Sequence, residues 1–514
     1  MRERITFLLN PSDPFDPQSI SVNHTSISSV GAVTAAKEVK IKFELKELPE
    51  ELQQVLRVSR ELHVRWVAEK EYDNVSPLVS RISPGLHVLY APRSDVESSK
   101  ILCTILKEAF GPMDCVSPER TFTPLYKETS NLDTPFFQFY SPLSSIAKLE
   151  DYLQNMAYSR LPPSISEQCS KRLSSLISAT QLDISFTGSS QSFSISSFTP
   201  TGTKSLFLQF SEELSDKYKT RHEIGFLTSS KANNPEDISV SGFLTVIGDD
   251  KKLKPTLFSF PSRHHSSNVN FSARFLRPSG MHPTLELRIS DIRLPHDFQA
   301  CRAHVLLTLP QSIFVDKYQL SDPLFLRNKN LSALRRITDD IDLEAPAYNL
   351  PTWGSSVLIE LATPDDNTNH SEPLDWTAQI PTHLRYLMPS SNSSGLRDIE
   401  VPYPVVFWAC NSGHTLKFSN NPFDRPLLGY ENSFGEQYIF YHLKPKSINE
   451  DGRLVDKLQV PVLDLDQYYN IKVMTYLAVG IGFMWVVLCL LRVEMKSRYS
   501  PNRKAVNKKQ KKLQ

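Results

Sequence analysis

The feature that most constrains this chain is an uncharged apolar segment near its C-terminus. Residues Val473–Leu491 read VMTYLAVGIGFMWVVLCLL. As a helix rising about 1.5 Å per residue, this segment would extend roughly 28 Å, close to the hydrocarbon thickness of a bilayer. A buried helix of a soluble domain would normally carry a polar stripe. The sequence therefore predicts one transmembrane helix at 473–491, with nearly all of the 514 residues on one side of it.

The charge distribution predicts an orientation for this helix. The tail, residues 492–514, holds nine of the 57 basic residues and one of the 56 acidic residues, which leaves residues 1–491 with seven more acids than bases. Basic residues accumulate on the cytosolic side of membrane proteins. We therefore expect a cytosolic tail and a lumenal body. An acidic body also lacks the clustered basic surface that a nucleic-acid-binding protein needs.

The end of the tail predicts which membrane is involved. Lys511 and Lys512 stand fourth and third from the end of the chain, in the sequence KKLQ. This is the form of a dilysine retrieval signal, an address read by a receptor on endoplasmic reticulum (ER) membrane proteins. Lys511 and Lys512 are thus candidate retrieval residues.

The route of the body across the membrane stays open. The apolar run Ile5–Leu9 is too short for the apolar core of a signal peptide. Either translocation proceeds without a cleaved signal, or the protein is tail-anchored with a cytosolic body. The second alternative would force nine basic residues through the membrane and is disfavoured. Candidate N-glycosylation sites, compatible with a lumenal body, are Asn23, Asn74, Asn270, Asn330, Asn369 and Asn392.

The pattern along the body predicts a mixed fold with three regions. Residues 1–160 form an α+β region, with a strand at Val39–Leu45 and helices at Pro49–Tyr72, Ser98–Phe110 and Ser144–Ser159. Residues 161–279 form a variable, partly loop-rich region, because 161–204 are rich in Ser and Thr.

Residues 280–466 are predicted to form a β-rich domain. Leu285, Leu287 and Ile289 alternate with polar residues, and the same pattern recurs at 303–309, 357–361 and 384–388. A solid apolar run follows at Val405–Cys410. Short alternating segments separated by Pro, Asp, Asn and Gly are typical of an antiparallel sheet, and we expect a sandwich-like domain.

Candidate catalytic and metal-binding residues are sparse. Two DxD patterns, Asp340–Asp342 and Asp464–Asp466, could hold a divalent cation in a glycosyltransferase, although solvated turns explain them better. Histidines at 264, 265, 282, 296 and 304 lack the spacing of a zinc site and are interpreted as surface or edge-strand residues. No nucleophile elbow, zinc-protease, Walker A or dinucleotide motif occurs. We therefore expect no enzyme activity, no metal and no cofactor.

Two cysteines fall on predicted strands of the β-rich domain. Cys301 and Cys410 would pair in an oxidising lumen, and the alternative is two buried free thiols. Cys489 lies in the membrane segment and is expected to be unpaired.

Four segments resemble the PIG-X family and its fungal relatives. They occur in the family's order, at Leu309–Leu320 (LPQSIFVDKYQL), Asp342–Tyr348 (DLEAPAY), Pro381–Pro389 (PTHLRYLMP) and Val401–Asn411 (VPYPVVFWACN). The resemblance covers about residues 280–465 and the membrane helix after them. Residues 1–270 resemble the longer N-terminal part of the fungal members.

The resemblance implies an ER-membrane glycoprotein, the non-catalytic subunit of GPI mannosyltransferase I. Such a subunit stabilises a multi-spanning, PIG-M-like catalytic partner, which adds the first mannose from dolichol-phosphate-mannose to the GPI precursor. Fungal members are also linked to ER protein processing. The alternatives are a lumenal chaperone or cargo receptor and, with less support, a glycosyltransferase that uses Asp340 and Asp342.

Overall fold

We describe the protein from a computed structural model. It describes residues 2–13, 15–93, 100–125, 136–160, 178–210, 221–292, 300–338, 342–363, 375–391, 394–413, 418 and 421–499. The chain divides into two compact units. The first comprises residues 1–386 and 398–459, and the second comprises 387–397 and 460–514.

The first unit contains a large sheet built from the N-terminal half of the chain. Among the described residues it has 12 strands, in the order β12-β11-β10-β1-β3-β9-β8-β4-β5-β7-β6, with β2 paired to β3. The strands are β1 Arg2–Leu9, β2 Ile20–Val22, β3 Ser26–Glu44, β4 Ser59–Val67, β5 Gly85–Pro92, β6 Thr123–Leu125, β7 Phe136–Ser141, β8 Gln181–Thr187, β9 Ser192–Gln209, β10 Arg221–Ser230, β11 Asp237–Val246 and β12 Lys254–Pro261. Strands β1 and β10 run parallel, and the other neighbours whose pairing is described run antiparallel.

Helices cover one end of this sheet. They are α1 Glu50–Val58, α2 Lys100–Phe110, α3 Pro118–Thr121 and α4 Ala147–Arg160. In α2, Leu102, Leu106 and Ala109 recur at helical spacing and are buried. They pack in one core with Val64 of β4 and residues of β5. Without the helices, the apolar side chains of β4 and β5 that pack against them would be exposed to water, so the helices complete the core.

A second sheet in the same unit comes from the C-terminal half. Within the described ranges it has eight strands, in the order β17-β18-β15-β22-β23-β13-β14-β19. All neighbours run antiparallel except β13 and β23, which run parallel. Its strands are β13 His264–Phe275, β14 Thr284–Ile289, β15 Cys301–Pro310, β17 Leu331–Ile337, β18 Gly354–Leu361, β19 Trp376–Pro381, β22 Val405–Asn411 and β23 Tyr438–Pro445. The central strand β22 is buried along Val405–Cys410, which explains its unbroken apolar run.

Smaller elements complete the architecture. Two-stranded pairs join β16 Ile313–Phe314 to β20 His383–Leu384 and β21 Leu396–Pro402 to β24 Val455–Pro461. Asp322 is the N-cap of a short helix, α5 Pro323–Asn328. Its carboxylate accepts hydrogen bonds from the backbone amides of Leu324 and Phe325.

The second unit contains the long helix α6, Tyr468–Tyr499. Among the described residues, one helical stretch is long and apolar enough to cross a membrane, and it runs from Leu465 to Lys496. The predicted segment 473–491 lies inside it. This finding is compatible with a single-pass membrane protein. The predicted mixed fold, mainly β with one apolar C-terminal helix, is confirmed.

Several local predictions need correction. The helix predicted at Pro49–Tyr72 ends at Val58, and residues 59–67 form strand β4 instead. The loop predicted at 161–204 is wrong where β8 and β9 form at 181–187 and 192–209. The alternation at 384–388 forms a strand only at His383–Leu384. The helices predicted at Ser98–Phe110 and Ser144–Ser159 correspond to α2 and α4.

Candidate functional site

Three of the four family-like segments meet around the short pair β16–β20. Ile313 of the first segment pairs with Leu384 of the third, and Phe314 pairs with His383. The Arg385 amide donates a hydrogen bond to the Ser312 carbonyl at 2.9 Å. Residues more than 60 positions apart in sequence thus form one local structure.

Arg385 connects the second family-like segment, Asp342–Tyr348, to this structure. Its guanidinium lies 4.2 Å from the centre of the Phe314 ring and donates to the Ala345 carbonyl at 2.6 Å. Burial lowers the pKa of Arg385 from its usual value. The Ala347 amide also donates to the Tyr386 carbonyl at 3.0 Å. The segments from residues 309, 342 and 381 therefore share one surface.

This surface presents unusually exposed tyrosines. Tyr318 is 67% exposed, Tyr348 51% and Tyr386 67%. We call these three residues the tyrosine patch. Aromatic residues are enriched in protein interfaces and supply many of the residues that dominate binding energy. Their exposure makes these tyrosines candidates for contact with another protein.

The predicted carboxylate pairs do not form a metal site among the described residues. Asp342 is exposed, and its carboxylate accepts hydrogen bonds from the Glu344 and Ala345 amides, which lower its pKa. Asp464 accepts from the amide of Asp466 at 3.0 Å and so begins a 3-10 turn. Asp340 lies outside the described residues. In the part of the chain that the structure describes, no group of three or more His, Cys, Asp or Glu side chains is placed to hold a metal ion.

The histidines lie deeper in the protein than predicted. The interpretation as surface or edge-strand residues is wrong for His264, 2% exposed on β13, and for His304, 3% exposed on β15. Both strands have a neighbour on each side. His265 is half-buried and stacks on Tyr441, and His282 is exposed. His296 lies outside the described residues.

Strands β13 and β23, together with the turn that begins at Glu431, hold a buried polar chain that sequence reasoning missed. His264 Nε2 lies 2.7 Å from the Glu431 carboxylate, and His264 Nδ1 lies 2.9 Å from His442 Nε2. Burial raises the pKa of Glu431, but the hydrogen bond and charge of His264 outweigh it and hold that pKa at about 2. Burial lowers the pKa of His442 well below its usual value. All three residues are at most 4% exposed, so a substrate could not reach them, and the chain fixes the strands in place.

Among the described residues, two disulfides lie in the first unit. Cys301 of β15 is bonded to Cys410 of β22, directly opposite it in the sheet. Cys103 of α2 is bonded to Cys115, twelve residues along the chain, a pair that the sequence analysis did not predict. Cys489 is unpaired.

The candidate sequons differ in how accessible their amides are. Asn23, Asn270 and Asn330 are exposed. Asn74 is half-buried and its amide donates to the Val79 carbonyl at 2.9 Å. The side-chain amide of Asn330 donates a hydrogen bond to the Thr377 carbonyl at 2.7 Å. Asn369, Asn392 and the candidate retrieval residues Lys511 and Lys512 lie outside the described residues.

Comparison with known proteins places this chain among fungal relatives. It is 40% identical to Protein pbn1 of Emericella nidulans over 98% of both chains. It is 38% identical to Protein pbn1 of Neurospora crassa over 97% of both chains, and 38% identical to Protein PBN1 of Gibberella zeae over the whole of both. Protein PBN1 of Yarrowia lipolytica is 30% identical over 48% of this chain.

A solved structure of the Fcho1 Mu homology domain from Danio rerio with bound Eps15 peptide aligns with a TM-score of only 0.14 at 9% identity, over 90% of this chain and 93% of that one, and supports no conclusion. The family described as PIG-X / PBN1 matches residues 278–491, which include the tyrosine patch, both strands of the Cys301–Cys410 disulfide and most of the apolar helix. The matched region and the full-length relatives together establish that this chain belongs to the PIG-X / PBN1 family.

Proposed function

We propose that this protein is the non-catalytic, stabilising subunit of GPI mannosyltransferase I. In this role it supports transfer of the first mannose from dolichol-phosphate-mannose to the GPI precursor by a multi-spanning catalytic partner. Membership of the PIG-X / PBN1 family carries the proposal. The carboxylates of the predicted DxD patterns that are described serve turns, which favours the accessory role over the glycosyltransferase alternative.

The proposal includes a single-pass ER topology with a lumenal body. Two disulfides in the first unit support it, because structural disulfides persist in oxidising compartments and are rare in the cytosol. The basic tail with Lys511 and Lys512 would then be cytosolic. Among the described sequons, exposure favours glycans on Asn23, Asn270 and Asn330 over the half-buried Asn74. The domain boundaries after residues 160, 279 and 466 belong to the same proposal.

We further propose that the tyrosine patch contacts the catalytic partner. The patch lies inside residues 278–491, the region that matches the family as a whole. A function common to the family should rest on this region rather than on the N-terminal sheet. Exposed tyrosines also offer large contact area at low cost in side-chain entropy.

Affinity purification from detergent extract tests both the proposed subunit role and the proposed contact through the tyrosine patch. The wild-type protein should recover a multi-spanning mannosyltransferase. The double variant Tyr348→Asp and Tyr386→Asp should recover at least about tenfold less, because tyrosine is enriched among the interface residues whose loss costs more than about 1 kcal/mol. The matched control is Phe207→Asp, which alters an aromatic residue 67% exposed on β9, outside the matched region.

Different results would overturn the two proposals. Recovery of no mannosyltransferase by the wild-type protein would overturn the proposed function. Equal recovery by the double variant and the wild type would overturn only the assignment of the patch. A loss caused by Phe207→Asp as large as that of the double variant would also exclude a specific role of the patch.

A further inference from the structure

Two histidine side chains meet at the surface of the first unit, although 101 residues separate them in sequence. His282 lies in the chain that joins β13 to β14, and His383 belongs to β20. Their Nδ1 atoms are 2.9 Å apart, and their ring planes cross at 85° with the ring centres 4.9 Å apart. Each ring therefore directs one nitrogen into the same small volume.

The backbone holds these two residues side by side. The Leu384 amide donates a hydrogen bond to the Met281 carbonyl, and the Thr382 amide donates one to the Pro283 carbonyl, both at 2.9 Å. Both bonds join immediate neighbours of the two histidines. The separation of the two rings is thus set by the fold and does not have to be created when a ligand binds.

Two further contacts fix the ring of His383. It stacks on Phe314 with the ring centres 5.3 Å apart, and its Nε2 lies 3.2 Å from the side-chain oxygen of Gln319. An amide oxygen accepts hydrogen bonds and donates none, so Nε2 carries the proton of the neutral ring and Nδ1 keeps a lone pair. Histidine ligands of metal ions are commonly oriented by such a second hydrogen bond.

The protonation states of the two rings suit a metal ligand. Burial, followed by the charge of His282, lowers the pKa of His383 from its usual value, and the charge of Asp316 opposes them less strongly. A neutral imidazole is the form that binds a metal ion. His282 is exposed, so an ion in solution has access to the pair. Its neutral tautomer with the proton on Nε2 offers a second lone pair at Nδ1.

We propose that His282 and His383 bind one divalent transition-metal ion of the class that prefers imidazole, with Zn²⁺ as its representative, through their Nδ1 atoms. Zinc–nitrogen bonds are about 2.0–2.1 Å long, so nitrogens 2.9 Å apart subtend about 90° at the ion. A tetrahedral angle would need the nitrogens only about 0.5 Å further apart.

Water completes the coordination of this ion, because the pair supplies two protein ligands. The site is therefore weaker than a structural zinc site with four protein ligands. The bound ion joins the chain before β14 to β20, three residues before Tyr386 of the tyrosine patch. The site does not depend on the proposed mannosyltransferase role.

Zn²⁺ binding to the full-length protein in detergent tests the site. The protein carries no histidine tag, which would itself bind the ion, and the Kd is measured by competition with a chromogenic chelator. Mg²⁺, which prefers oxygen ligands, should not compete. His282→Gln and His383→Gln should each weaken the tightest site by at least about tenfold, a loss seen even when a partner outside the ligand set is removed. The double variant should bind hardly more weakly than either single variant, because one imidazole alone cannot chelate the ion.

The exposed His24 supplies the matched control, and His24→Gln should keep the wild-type Kd. The Tm without Zn²⁺ checks that each variant folds, and His282→Gln, at an exposed position, decides the question if His383→Gln does not fold. Equal Zn²⁺ affinity in the wild type and in His282→Gln would overturn the proposal. So would a further tenfold loss in the double variant, since each histidine would then bind an ion alone.

Discussion

The two disulfides close loops of very different length, which gives a test at the scale of single residues. The cysteines are separated by 109 residues in Cys301–Cys410 and by 12 in Cys103–Cys115. In the chain-entropy model, removing the disulfide that closes the longer loop should lower the free energy of unfolding by about 5 kcal/mol. Removing the one that closes the shorter loop should lower it by about 3 kcal/mol. Double Cys→Ala variants of each pair, unfolded by denaturant without reductant, measure the difference. All four cysteines are buried, so loss of packing is similar, and equal effects would contradict the entropic account.

His304 should make stability depend on pH. Burial lowers its pKa to about 4, so the folded protein keeps it neutral, while the unfolded chain protonates it near 6.5. The stabilising free energy of the neutral, buried His304 is complete above about pH 6.5 and is lost as pH falls from there towards 4. Replacing His304 by Phe should reduce the slope of unfolding free energy against pH by up to about 1.4 kcal/mol per unit.

Denaturant unfolding at several pH values between 4.5 and 7 measures this slope. His24→Gln, a change at an exposed position, should leave it as in the wild type. A slope unchanged by His304→Phe would show that the residue titrates alike in both states.

The misjudged histidines also mark a limit of sequence reasoning at this scale. His304 alternates with apolar neighbours, as a solvent-facing residue on a half-buried strand would. In the fold its ring stacks on Phe407 and its Nδ1 lies 2.9 Å from the Arg302 carbonyl. Alternation identifies two faces of a strand, but only tertiary packing decides whether both are buried.

At the scale of elements, periodicity predicted the strands and helices with a clear apolar face. Strand β14 and helix α2 are examples. Strand β4 was missed because both of its faces are largely buried, which leaves no alternation to distinguish it from a helix. The serine-rich β9 was missed because composition favoured a loop, whereas β9 lies between β3 and β8 in the sheet.

One side chain from the C-terminal half completes the core of the N-terminal half. Trp353 is 6% exposed, packs in the core of α2 and β5, and donates its indole N–H to the Gln138 carbonyl at 2.8 Å. Trp353→Ala should lower the free energy of unfolding by about 3–5 kcal/mol. Tyr348→Ala, at a position 51% exposed, should change it by less than about 0.5 kcal/mol. Equal effects in denaturant unfolding would mean that Trp353 does not join the two halves.

At the scale of the whole molecule, the sequence was most informative about the apolar helix and the family-like segments. The way in which those segments assemble was not predictable, because Arg385 and Phe314 meet only through long-range contacts. The same holds for the N-terminal sheet, in which β1 pairs with β10, more than 200 residues away. Pairing at such distances depends on the complete fold rather than on local pattern.

The proposed role is to stabilise a catalytic partner rather than to catalyse a reaction. Its most direct test depletes this protein and measures, in the same membranes, the abundance of the mannosyltransferase and transfer of the first mannose to the GPI precursor. Both should fall together, and both should return with the Asp342→Ala variant, since that carboxylate only holds a turn. Unchanged abundance and activity after depletion, or failure of a folded, abundant Asp342→Ala variant to restore transfer, would contradict it.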